Sequence, residues 1–148
     1  MYQRILVAVD GSLPSQRALI EASRLAHDQH AHLRIVHVIG DPYAYFAVDG
    51  TPPETIITVE HAWRQVGETI LAQASEVAHQ EGVQPETALL EQDERTGAAI
   101  VADARQWHAD LLVLGTRGHH GLGELLRGSV AEQVVRAAPI PVLLLHDK

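Results

Sequence analysis

The chain has 148 residues, 46% of them apolar and 20% charged, with a formal net charge of −8. That length and balance describe one globular domain able to bury a core rather than a disordered chain. The acidic charge excludes a nucleic-acid surface, which needs clustered Lys and Arg against phosphate, and the lack of cysteine excludes disulfides, thiolate chemistry and zinc ribbons.

In chain order, 4-RILVAV-9 is a compact apolar run of the kind that forms a strand buried on both faces. It stops at 10-DGS-12, too short for a signal-peptide core, and no eighteen consecutive apolar residues follow anywhere. No membrane insertion and a cytoplasmic location are therefore expected. Pro14 suits a first helical turn, and Ala18, Leu19, Ala22, Leu25 and Ala26 recur at helical spacing, predicting an amphipathic helix over 14–29. The β-branched run 33-LRIVHVI-39 is a second strand. The stretch 40–53, rich in Gly, Pro and aromatics, is read as an irregular connection. Ile56, Val59, Trp63, Val66, Ile70, Ala74 and Val77 then trace one stripe of a long helix over 54–81, closed by Gly82.

A weaker strand is predicted at 86-ETALLE-91, and a helix over 97–108 with Thr96 as its cap and Ile100, Val101, Ala104 and Trp107 inward. The fourth strand is 111-LLVLG-115, the fourth long helix starts near Ser129, and 140-IPVLLLH-146 is the last strand. Five strands alternating with helices, with no hairpin signals, predict a doubly wound five-stranded parallel α/β sheet with helices on both faces, in a single domain spanning 1–148. In such sheets ligands bind beyond the carboxyl ends of the strands, where the winding reverses. If the first and fourth strands are neighbours, Asp10 and the loop after residue 115 face one crevice.

That loop, 115-GTRGHHGLGELLRGS-129, has five glycines in fifteen residues. A glycine cluster after a strand signals unusual backbone geometry or close approach of the backbone to something. Leading into a helix, it offers free N–H groups and the positive end of the helix dipole, with Arg117 and Arg127 adding charge, so anions suit it. Ser129 stands as N-cap, or turns its hydroxyl to a phosphate oxygen. A P-loop is excluded because its lysine is missing: the only lysine is Lys148. The dinucleotide fingerprint fails as well, since 10-DGSLPS-15 has a single glycine.

The spacing that does fit is Gly115-x2-Gly118-x9-Gly128-Ser129. It resembles the signature of the universal stress protein family, in its ATP-binding branch. The opening 5-ILVAVDGS-12 and the closing 128-GSVAEQVVRAAPIPVLLLH-146 are similar to that family's first strand and its last helix, turn and strand. The resemblance implies a Rossmann-like fold of the adenine nucleotide α-hydrolase-like type and an ATP site. Carried over by position, it implies phosphate contacts at Gly115, Arg117, Gly118, Gly128, Ser129 and Val130. It further implies ribose and adenine contacts at Ala8, Val9, Asp10 and Val38, with Mg²⁺ or Mn²⁺ held chiefly by phosphate and water. A homodimer through the last strand, whose 142-VLLL-145 edge needs covering, is expected on the same ground. The implied role is a nucleotide-dependent regulatory module.

Alternatives stay open at several residues. Asp10 is either a ligand to the nucleotide or a turn former, and His119 and His120 flank the site or face water. Tyr43, Tyr45 and Phe46 lie over the nucleotide or against a partner chain. Trp63 and Trp107 are expected as core or interface anchors, and the tract 27-HDQHAH-32 as a solvated helix end rather than a metal site. No nucleophile elbow is present, and no base is evident for phosphoryl transfer. Binding is therefore expected rather than catalysis, with slow ATP hydrolysis the most that is anticipated. The competing readings are an ATP-using enzyme of the adenine α-hydrolase-like class, which 9-VDGSLPS-15 argues against by lacking a double glycine, and a nucleotide-free adaptor.

Overall fold

The computed structural model describes residues 1–46, 49–92, 95–116 and 129–146. Its elements are β1 (Arg4–Ala8), α1 (Leu13–Gln29), β2 (His32–Ile39), α2 (Pro42–Phe46), α3 (Pro53–Gln80), β3 (Glu86–Glu91), α4 (Thr96–Trp107), β4 (Leu111–Thr116), α5 (Val130–Ala137) and β5 (Val142–His146). The strands form one parallel sheet in the order β3-β2-β1-β4-β5. The chain winds outward from β1 to β3, then crosses back to β4, so the winding reverses between β1 and β4.

Strand alternation builds a core on each face. Ile5, Val7, Leu33, Ile35 and Val113 meet α1 and α3 on one side, through Leu19, Ala22, Leu71 and Ala74. Leu6, Val36, Leu112 and Leu114 meet α4 and α5 on the other, through Ile100, Ala104 and Val134. Ile5, Leu6 and Val7 are entirely buried. Removing such side chains from water is worth about 1.5–3 kcal/mol each, which is why continuous apolar runs occupy the middle of the sheet.

Local chemistry fixes the element ends. Ser12 caps α1, accepting the Ser15 N–H at 3.3 Å. α3 stops at Glu81, with the Gly82 N–H bonded to the His79 carbonyl at 3.0 Å and the Val83 N–H to that of Ala78 at 3.0 Å. Gly82 has φ +84°, the left-handed conformation this ending requires.

Three expectations need correction. The connection 40–53 contains a short helix, α2, hidden because its Pro-Tyr-Ala-Tyr-Phe sequence carries no helical periodicity. Val66 is 57% exposed, and Gly67 and Leu71 face inward in its place. A Cβ at Gly67 would lie 2.7 Å from Leu89 and 2.9 Å from His37, so the missing side chain brings α3 onto the sheet and sets its rotation. Thr96 is the first residue of α4 rather than its cap; Arg95 holds the N-cap position, and the Thr96 hydroxyl donates to Gln92 at 2.6 Å.

Candidate functional site

Three strand ends and three helix starts converge at the point where the winding reverses. The crevice there is lined by Ala8, Val9 and Asp10 after β1, Ser15 of α1, His37 and Val38 of β2, Thr96 and Ile100 of α4, Leu114 and Gly115 of β4, and Val130 of α5. Its lining is mostly apolar with a few polar side chains (Asp10, Ser15, His37 and Thr96), a balance that suits a flat ring with a polar tail. A larger, more open groove follows α4 past Leu90, Arg95, Ala98 and Gln106. It has an alanine floor, and the switch-point crevice fits the position of ligands in such sheets better.

Of the residues nominated from sequence, Ala8, Val9, Asp10, Val38, Gly115 and Val130 all line this crevice. Ser129 adjoins it as the N-cap of α5, its Oγ accepting the Glu132 N–H at 3.1 Å. That bond uses a lone pair and leaves the hydroxyl proton free to donate, so capping and phosphate contact are compatible. Arg117, Gly118, His119, His120 and Gly128 lie outside the described residues. Ser15, His37, Thr96, Ile100 and Leu114 line the crevice without having been nominated. They reach it from α1, β2, α4 and β4, through the packing of those elements, which no local spacing in the sequence encodes.

Gly115 serves two elements. A Cβ at this position would lie 2.2 Å from both the carbonyl carbon and oxygen of Pro14 and 2.6 Å from the Ser15 nitrogen. The glycine thus lets the end of β4 touch the backbone of the first turn of α1, as well as lining the crevice.

Asp10 organises the rim. Its Oδ1 accepts the Ser12 N–H at 2.9 Å, and its own N–H reaches Ser15 Oγ at 3.3 Å. Ser15 Oγ in turn donates to the Ser12 carbonyl at 3.1 Å. The turn-forming role is therefore present, and the exposed carboxylate also faces the crevice. Beside it, His37 Nδ1 lies 2.7 Å from the Val9 carbonyl; a carbonyl only accepts, so that nitrogen carries a proton.

Partial burial pushes the Asp10 carboxyl upward, but hydrogen bonds from Ser12 and Ser15 and the nearby His37 outweigh it and hold the group below the ordinary range. A depressed folded pKa contributes stability above the ordinary value of about 3.9, and that contribution is lost as pH falls through the folded pKa. Asp10→Asn is thus expected to be less stable than wild type at pH 7, with the gap closing on acidification through that range. Denaturant unfolding at pH 7 and at about pH 3 reads this, and a gap independent of pH would contradict it. The exposure of Asp10 keeps the effect small.

Among the described residues, no Phe, Tyr or Trp lines the crevice. Tyr45 and Phe46 of α2 meet edge to face at 4.9 Å, Phe46 reaches Trp63 at 6.4 Å, and Trp63 covers Gly40. Trp107 lies under the Arg4 guanidinium at 4.2 Å. Both tryptophans are packing anchors within the chain. His27, His30 and His32 are all exposed at the junction of α1 and β2. Among the described residues no helix is long and apolar enough to cross a membrane.

The model described as "Universal stress protein family" matches residues 1–146. The universal stress protein YxiE of Bacillus subtilis is 33% identical over 150 residues, covering 99% of this chain and all of that one. A solved universal stress protein family structure from Burkholderia pseudomallei is 33% identical, covering 97% and 96% of the two chains with a TM-score of 0.77. The universal stress protein of Archaeoglobus fulgidus in complex with dAMP is 26% identical, covering 97% and 98%, with a TM-score of 0.66.

Proposed function

This chain belongs to the universal stress protein family, and from that premise we propose that it binds ATP in the switch-point crevice and acts as a nucleotide-dependent regulatory module. The observation that carries the reading is convergence. Ala8, Val9, Asp10, Val38, Gly115 and Val130 come from four parts of the chain and line one crevice. The adenine ring lies toward Ala8 and Val38, and the ribose toward the Asp10 carboxylate. The phosphates lie toward Gly115, Ser129, Val130 and the sequence positions Arg117, Gly118 and Gly128. Mg²⁺ or Mn²⁺ accompanies the nucleotide through phosphate oxygens and water. The dAMP complex of the Archaeoglobus relative supports an adenine nucleotide, and the glycine spacing favours a ligand with several phosphates.

The role is binding, with slow hydrolysis at most, in the cytoplasm. The protein is a homodimer through β5, which forms one edge of the sheet and whose Val142, Leu143, Leu144 and Leu145 are only half-buried. Nucleotide acts as a switch to the extent that it binds two dimer states with different affinity.

The test is to purify the protein gently, record its mass by sedimentation, denature it, and identify released nucleotide by mass spectrometry. Gly118→Val serves as the control. Wild type is expected to sediment at twice 16.1 kDa and release ATP, and the variant to release none. Release of AMP alone, with no affinity for added ATP and Mg²⁺, would replace ATP by a monophosphate. No nucleotide and no binding of either would leave the nucleotide-free adaptor.

A further inference from the structure

The crevice lies between the starts of α4 and α5, and those two starts are joined. α4 has no cap of its own, because Arg95 stands at the N-cap position without a side-chain hydrogen bond to the first turn. The first N–H groups of a helix lack internal partners, and an N-cap side chain normally accepts from the second or third. Here the N–H of the second helical residue, Gly97, is bonded at 2.8 Å to Oε1 of Gln133 on α5. One helix is capped by the other.

The glycine is part of the device. A Cβ at position 97 would lie 2.4 Å from the Gln133 Cβ, 2.6 Å from its Oε1 and 3.2 Å from the Val130 carbonyl oxygen. Glycine is unfavourable inside a helix compared with alanine, and the φ of Gly97 is not in the left-handed region. Close approach, not backbone conformation, explains it. The residues just before and beside this contact line the crevice: Thr96 precedes Gly97, and Val130, whose carbonyl faces Gly97, opens α5.

We infer that the Gly97–Gln133 contact positions the crevice, fixing the separation of the two helix starts and so holding Ser129 and Val130 where the phosphates of the nucleotide are received. This rests on the crevice being a nucleotide site. Gln133 is a positioning residue: it lies behind the wall, and its action passes through Gly97 N–H and the start of α5. Removing the acceptor frees the α4 start, and the α5 start loses its brace. The contribution of phosphate to affinity then falls, while that of the base and ribose stays.

The experiment compares ATP with Mg²⁺ against adenosine, by calorimetry, on the full chain and on Gln133→Met, which keeps the length of the side chain but accepts no comparable hydrogen bond. Gly97→Ala disturbs the contact from the other side. Gln133→Asn, too short to reach, replaces either variant that fails to fold. The expected result is that the ATP-to-adenosine affinity ratio falls about fivefold or more, the scale of one hydrogen bond, with adenosine affinity kept within about twofold. A ratio equal to wild type overturns the inference and leaves the nucleotide reading intact. Equal weakening of both ligands also overturns it, since a purely structural role lowers affinity without regard to phosphate. A wild type that binds neither ligand overturns both.

Discussion

Gly115→Ala is expected to destabilise the protein by about 3 kcal/mol or more, toward the upper end of what overpacking costs. The added carbon would sit 2.2 Å from the Pro14 carbonyl group and 2.6 Å from the Ser15 nitrogen. These are backbone atoms, so no rotamer change relieves the contact; β4 and the first turn of α1 must separate by an ångström or so. Thermal unfolding should show Tm lower by about 10 °C, given roughly 2–4 °C per kcal/mol for a chain of this size. The same separation opens the crevice between Val9 and Gly115, so nucleotide affinity should fall in the fraction that remains folded. A variant within about 1 kcal/mol of wild type would mean that α1 slides away freely, contrary to the dense packing of Ala18, Leu19 and Ala22 beneath it.

Asp103→Ala is the second substitution with a large expected effect, about 3 kcal/mol at neutral pH. Arg34 of β2 meets Asp103 of α4 through two parallel bonds, Nε to Oδ2 at 2.8 Å and a terminal nitrogen to Oδ1 at 2.9 Å. The side chains are 17% and 10% exposed. The Asp103 hydrogen bonds lead the influences that raise the Arg34 pKa above its ordinary value, burial opposes them, and Glu86 adds to them. Arg34 therefore stays charged, and loss of Asp103 strands a cation held on its outer side by Glu86 alone. Glu86 keeps the penalty at the lower end of the range for broken buried pairs. The double variant Arg34→Met, Asp103→Leu should recover most of the loss, because a well-packed apolar pair replaces a buried ion pair at little cost. Urea unfolding of wild type, single and double variants measures both effects. A double variant no better than the single would assign the loss to packing around Trp107, which the Arg34 guanidinium also faces at 5.9 Å.

The sequence was legible wherever one residue's neighbours decide its fate. The run 5-ILVAV-9 can only be a buried strand, Gly82 can only close a helix, and Ser129 sits where a cap must be. The adjacency of β1 and β4, left open by spacing, is settled by their register, Ile5 against Leu111 to Val7 against Val113. What failed to show in the sequence depends on two elements at once. Helix α3 carries apolar residues on two adjoining stripes, and the choice of Gly67 and Leu71 over Val66 is made by Leu89 and His37 on the sheet. Thr96 reads as a cap until Gln133, 37 positions away, is seen to accept from the next residue. The crevice divides in the same way. Residues at strand ends could be nominated from the motif, whereas Thr96 and Ile100 enter it through the packing of α4.

The position of β1 in the middle of the sheet also bears on how the protein is made. One side of β1 pairs with β2, which follows within thirty residues, but the other waits for β4. The Arg4 N–H finds its Asp110 acceptor 106 residues later, and the Gln3 N–H uses the same carboxylate. At about 5–20 residues per second, that separation lasts roughly 5–20 s on the ribosome. Throughout it, a strand carrying Ile5, Leu6 and Val7 presents an open edge to whatever else is being synthesised nearby. The nascent chain spends most of its synthesis without β4, and completes the crevice only as its last third emerges.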